Sequence, residues 1–187
     1  FREEMGVCED TMLVTYLGTV GMAHGLENVL DAAELAGDER TRFLFVGEGA
    51  EKAALVAEAE RRGLRNVTFM DGQPRERVPS ILSASDAVLV HLRDDPLFRA
   101  VIPSKIFEAM AMARPIILAV GGESADIVGR TRSGIAVRPG EPGELLDAIA
   151  RLRESPALRD ELGANGRAAA EREFNRKEAA ARMLEGL

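Results

Sequence analysis

An α/β fold is predicted: a Rossmann-like parallel sheet of about six strands with helices on both faces. Three observations carry this expectation. Short apolar runs alternate with amphipathic segments about six times, the connections between them are short, and glycines follow several of the runs. Short crossovers of this kind pair neighbouring strands in parallel, with the right-handed connection.

The elements follow in order. Met12–Leu17 is a short apolar run ending at Gly18, as expected of a buried strand entering a turn. Leu26, Val29, Leu30 and Ala33 then recur at helical spacing, and Gly37 stops that helix. Residues 43–46 form a strand leading to Gly47-Glu48-Gly49, and a helix over 51–62 turns Leu55, Val56 and Ala59 inward before Gly63. A third strand, 67–69, leads to Asp71-Gly72. A short helix carries Val78, Ile81 and Leu82, with Pro79 in its first turn. Residues 86–91 are a fourth strand, followed by a polar loop over 92–102.

Pro103 opens a helix over 104–113, and Pro115 restarts the chain as a strand over 116–120. Gly121-Gly122 leads to a helix over 124–130, and 134–137 is a last short strand. The remainder is helical, with Leu145, Ile149 and Leu152 on one stripe and Leu158 and Leu162 on another. A final amphipathic segment covers 178–187.

Composition narrows the function. The 187 residues leave room for one domain, and 46% apolar with 29% charged residues is ordinary for a globular protein. Asp and Glu number 31 against 24 Lys and Arg, a net charge of -7, so neither a nucleic-acid coat nor a polybasic membrane patch is expected. Anionic ligands are therefore held locally. The single cysteine, Cys8, cannot form an internal disulfide, which suits a reducing cytoplasm. No run is long enough to span a bilayer, so association with a membrane surface is expected to be peripheral only. The chain begins at Phe1 without a signal-like stretch and reads as a piece of something longer.

In doubly wound sheets ligands bind beyond the C-terminal strand ends, so the loops at Gly18, Gly47, Gly72, His91 and Gly121 converge on one crevice. The first of these, from Gly18 through Thr19 and Gly21 to His24 and Gly25, leads into a helix whose amides and dipole favour phosphate. It is neither the dinucleotide fingerprint nor a phosphate loop, and tight-turn glycines alone would also explain it. The second candidate is Ser104-Lys105 with Glu108 one turn on. Ser104 and neighbouring amides bind anionic oxygens, Lys105 adds a charge, and the Glu108 carboxylate accepts from ribose hydroxyls. A solvated lysine with a capping carboxylate is the alternative. His91 is read as a structural histidine, Asp94 and Asp95 as turn formers, 167–177 as a solvated helix face, and the methionines as core fillers.

These residues resemble a known family, the C-terminal, nucleotide-sugar donor-binding half of the two-Rossmann (GT-B) glycosyltransferases of group 1. The likeness runs from Tyr16-Leu17-Gly18-Thr19 through Phe45-Val46-Gly47-Glu48-Gly49, Asn66-Val67-Thr68-Phe69, Ser85-Asp86-Ala87 and 103–113 to Ser133-Gly134-Ile135-Ala136-Val137-Arg138-Pro139-Gly140. The tail, with Leu162-Gly163-Ala164-Asn165-Gly166-Arg167 and Phe174, resembles the closing helices of that domain. Gly18-Thr19, Ala23-His24-Gly25 and Pro103-Ser104-Lys105 resemble most a bacterial O-antigen and surface-polysaccharide subset that is N-acetylfucosamine-transferase-like.

The resemblance implies a retaining transfer from a nucleoside diphosphate sugar, of the UDP-N-acetyl type, to a lipid-linked saccharide. No metal and no other cofactor is implied. It implies a nucleobase near Gly47, Glu48 and Gly49 and the turn of Met70, Gly72 and Gln73. Glu108 would hold the ribose, and Lys105, Ser104 and the loop of Gly18, Thr19, Gly21 and His24 the diphosphate. Residues 1–11 are expected to be a stub of the interdomain connection, 12–172 the donor domain, and 173–187 a helix directed to an N-terminal domain that brings the acceptor.

This chain departs from the family pattern in three places. Gly18-Thr19 stands where the family has Gly-Arg, His24-Gly25 where it has Lys-Gly, and Ala100 where it has the first of two paired glutamates, Glu108 being the second. The charge-neutralising work then shifts to Lys105, with His24 or Arg99 as helpers. An epimerase of UDP-N-acetylhexosamine and a non-catalytic nucleotide-binding module are the competing readings.

Overall fold

The computed structural model describes residues 1–37 and 40–174. Its strands are β1 (Met12–Leu17), β2 (Thr41–Val46), β3 (Val67–Met70), β4 (Ala87–His91), β5 (Ile116–Ala119) and β6 (Gly134–Ala136). The helices are α1 (Glu27–Ala36), α2 (Lys52–Arg61), α3 (Val78–Ala84), α4 (Lys105–Ala111), α5 (Glu123–Thr131), α6 (Pro142–Glu154) and α7 (Pro156–Glu173). The strands form one sheet in the order β3-β2-β1-β4-β5-β6. All pairs are parallel, with Tyr16 opposite Phe45, Thr15 opposite Val88, and Leu89 opposite Ile117.

Because these strands carry apolar side chains on both faces, each face needs its own cover. On one, Val14, Tyr16, Phe43, Phe45, Leu89 and Ile117 meet Val29, Leu30 and Ala33 of α1 and Leu145, Ile149 and Leu152 of α6. On the other, Val88, Val90, Ile116 and Leu118 meet Ile106, Ala109 and Met110 of α4 and Ile127 and Val128 of α5. The chain runs outward from β1 to β3, then returns to place β4 beside β1. Connections leaving β1 and β4 therefore part in opposite directions, opening a crevice at their C-terminal ends.

Boundaries differ from expectation where polar residues carry backbone pairing. β2 begins at Thr41, which is buried although polar, and β3 continues to Met70. Asp86 falls before β4, where its carboxylate accepts from the Leu13 amide at 2.7 Å and from Arg2 at 2.9 Å. The helix expected over 104–113 is shorter, since Ala113 takes a left-handed conformation at φ 51°. The loop over 92–102 contains a 3-10 turn, Pro96–Ala100, capped by Asp95, whose carboxylate accepts from the Leu97 amide at 2.8 Å. The amphipathic segment expected over 178–187 lies outside the described residues.

Residues 1–11 fold onto the domain. Phe1, Met5 and Val7 cover Leu13, Leu44, Val46 and Ile81. The Arg2 guanidinium donates to the carbonyls of Ala84, Cys8 and Thr11 as well as to Asp86. At the far end α7 braces α4, with the Phe107 and Phe174 rings 4.7 Å apart and Arg167 donating to the Ala111 carbonyl at 2.5 Å.

Candidate functional site

The floor of the crevice is two loops in backbone contact. Gly47 has φ 151°, and a Cβ there would lie 1.9 Å from the Gly18 carbonyl oxygen, so only glycine allows the approach. The Gly18 amide donates to the Val46 carbonyl and the Val20 amide to the Glu48 carbonyl, each at 2.8 Å. The loop amides are therefore not all alike. Gly18 and Val20 are committed to the neighbouring loop, whereas the amides of Thr19 and Gly21 have no partner among the described residues.

Lys105, the first residue of α4, lies across this loop. Gly18 has φ 132°, and a Cβ there would come within 2.5 Å of the Lys105 Cε. The lysine Nζ donates to the Tyr16 hydroxyl at 3.0 Å and stands 4.4 Å from the centre of that ring. The Tyr16 hydroxyl in turn donates to the Thr19 carbonyl at 2.5 Å. His24 sets its ring edge-on to Tyr16, with centroids 5.8 Å apart, and its Nδ1 lies 3.3 Å from the Gly21 carbonyl. His91 is buried beneath, its Nδ1 donating to the His24 carbonyl at 2.6 Å, so the structural reading of this histidine holds.

Burial governs the charges here. It pushes the Lys105 ammonium down to about 8, against the opposing pull of the Glu108 carboxylate. His24 is lowered first by burial and then by the Lys105 charge, with its contact to the Gly21 carbonyl opposing; burial lowers His91 too. Burial raises the Tyr16 hydroxyl. At pH 7 Lys105 is therefore a cation beside neutral imidazoles.

Ser104 and Glu108 are exposed on the same helix, and the Ser104 hydroxyl lies 3.4 Å from the Glu108 carboxylate. The amides of Ser104 and Lys105 have no partner among the described residues. Glu108 lines a groove of about 350 Å³ between α3 and α4, walled by Arg75, Val78, Pro79, Leu82 and Met112. Lys105 thus serves the β1 wall and Glu108 the α3 wall, rather than one compact pair.

The third wall joins the ends of β2 and β3. The Glu48 carboxylate accepts from the Gly72 amide and from Lys52 Nζ, both at 3.0 Å, and Lys52 also donates to Asp71 at 2.6 Å. These bonds hold Glu48 below the usual carboxylate range, the Gly72 amide contributing most, and raise Lys52. The Met70 carbonyl accepts from the Gly47 amide at 3.1 Å, and Gln73 donates to the Asp71 carbonyl at 3.0 Å. Glu48, Met70 and Gly72 thus clamp one loop to the next, Gln73 braces the second loop from within, and Gly49 follows Glu48 on the first.

Two residues of the site were not singled out from sequence. Tyr16 had a signal, being the chain's single tyrosine two positions ahead of the loop glycine; Lys52 had its spacing of four from Glu48. A separate groove of about 530 Å³ lies at the opposite strand ends, lined by Thr11, Met12, Arg40, Asp86 and Arg159. It is remote from these loops.

Comparison with known proteins agrees with this geometry. Residues 1–169 match the family described as glycosyl transferases group 1. The chain is 32% identical over 158 residues to the Escherichia coli K12 protein named "Putative colanic acid biosynthesis glycosyl transferase WcaI", covering 84% of this chain and 38% of that one. It is 29% identical to the alpha-D-kanosaminyltransferase of Streptomyces kanamyceticus, covering 88% of this chain and 42% of that one. The chain thus spans about two fifths of these relatives' length. Among solved structures, Anabaena Alr3699/HepE in complex with UDP superposes over the whole chain and 51% of its own, with a TM-score of 0.84 at 23% identity. That likeness shows the fold. The match over 1–169, together with the sheet order and the crevice it creates, establishes that this chain belongs to the group 1 glycosyl transferase family.

Proposed function

We propose that this chain is the donor-binding half of a glycosyltransferase that moves a sugar from a nucleoside diphosphate to a saccharide in surface-polysaccharide assembly. The donor is a UDP-linked N-acetylated sugar, the acceptor a lipid-linked saccharide brought by an N-terminal domain, and transfer retains anomeric configuration. In this reading 12–172 form the donor domain, and 1–11 and 173–187 connect to the other half at the cytoplasmic face of the membrane. Three observations support it: the family membership, the UDP held by the Anabaena protein of the same fold, and the polysaccharide pathway named for the Escherichia coli relative.

The observation that carries the reading is the Lys105 ammonium held against the first loop beside two unpartnered amides. As the bond from the anomeric carbon to the diphosphate oxygen breaks, negative charge grows on the leaving diphosphate. Lys105 and the amides of Thr19, Gly21 and Ser104 offset it without a metal, and they are in place before the reaction begins. Removing one such group costs about 10²–10³ in rate. Glu108, exposed at the groove between α3 and α4, takes the ribose hydroxyls.

Calorimetric titration with UDP, GDP and ADP tests the reading. UDP is expected to bind preferentially, Lys105→Ala to weaken it by about tenfold or more, and Glu108→Ala to weaken it less. Equal affinity in the Lys105 variant would sink it.

A further inference from the structure

The single tyrosine of the chain is buried beneath the first loop, only 1% exposed. A phenylalanine would fill the same space, since the ring packs beside Phe45, which stacks on Phe69 at 4.9 Å. The hydroxyl is what distinguishes it. Its one proton is given to the Thr19 carbonyl at 2.5 Å, so toward Lys105 Nζ, 3.0 Å away, the oxygen acts as acceptor. The ammonium also stands over the ring, 4.4 Å from its centre.

We propose that Tyr16 is a positioning residue for Lys105: a single oxygen ties the loop carbonyl at Thr19 to the lysine ammonium, so that loop and cation are held as one unit. This rests on the donor-binding reading of the same crevice. The β1 loop and the start of α4, already in close approach where Lys105 crosses Gly18, are joined by this bond. A diphosphate bridging the Thr19 and Gly21 amides and Lys105 would then find its partners already spaced.

The groups facing Lys105 are Tyr16 from β1, Glu108 from its own helix and His24 from the 3-10 turn after the loop. Deleting the hydroxyl leaves Glu108 and His24 in place and removes the one hydrogen-bond acceptor that the ammonium has among the described residues. The charged form loses support, and the titration falls below its value of about 8. A hydrogen bond to a charged group corresponds to about tenfold, or about one pH unit.

The test compares the intact chain with Tyr16→Phe. Lys105 is followed by NMR of its Cε and Nζ across pH without ligand, and UDP affinity is measured between about pH 6 and pH 9. The Lys105 midpoint is expected to fall by about one pH unit, and the pH at which UDP binding weakens to fall with it. In the unmodified chain the Tyr16 ring resonances should report the same midpoint as Lys105. An unchanged Lys105 titration in Tyr16→Phe overturns the proposal, as does weaker binding uniform across pH, which marks a merely structural tyrosine. If Lys105 shifts as expected but the unmodified chain binds no UDP, the positioning contact stands and the donor-binding reading falls.

Discussion

Lys105 is held partly buried at some cost to folding, because its charged form is disfavoured there. The sign follows from linkage. The folded-state titration, about 8, lies below the ordinary lysine value of 10.5, so between those values the unfolded chain binds more protons and stability rises with pH. Measured against Lys105→Met, the unmodified chain should gain stability as pH climbs from 8 to 10.5 and show no such trend below 8. A flat difference across that window would mean that the ammonium is solvated. Gly47 gives a second expectation at this scale. Gly47→Ala drives a methyl into the Gly18 carbonyl and should lower Tm and abolish nucleotide binding together. Gly143→Ala in α6 meets nothing within 4 Å and should leave both intact. Thermal melts with paired UDP titrations separate the two cases.

At the scale of elements, the helices were legible because their apolar residues recur at helical spacing; α2 and α5 fall within a residue of the expected 51–62 and 124–130. Strand ends were less so. Thr41 is polar yet buried, its hydroxyl accepting from Arg153 at 3.2 Å, a pairing that no local pattern announces. The docking of 1–11 was equally invisible, since Arg2 finds its acceptors at Ala84 and Asp86, more than eighty positions away. The same limit applies to the site. Gly18, Lys105 and Glu108 could be read from turn and helix-start chemistry, whereas the engagement of the Val20 amide by Glu48 and the role of Tyr16 depend on which loops become neighbours. Arg2→Ala should cost about 2 kcal/mol, seen as a loss of about 4–8 °C in Tm. An unchanged Tm would show that the Arg2 bonds add nothing to the stability of the domain.

For the whole molecule, the decisive feature is the order β3-β2-β1-β4-β5-β6. It parts the chain between β1 and β4 and brings the first loop, the start of α4 and the β2 and β3 loops to one end of the sheet. A chain with a net charge of -7 attracts no polyanion over its general surface. What it offers an anion is local, Lys105 beside unpartnered amides. UDP is therefore expected at this end of the sheet, and amide chemical-shift mapping with UDP tests that placement most directly. Thr19, Gly21, Ser104 and Lys105 should move most, with smaller changes along the groove at Glu108. Shifts confined to Thr11, Met12 and Asp86, in the groove at the opposite strand ends, would contradict it.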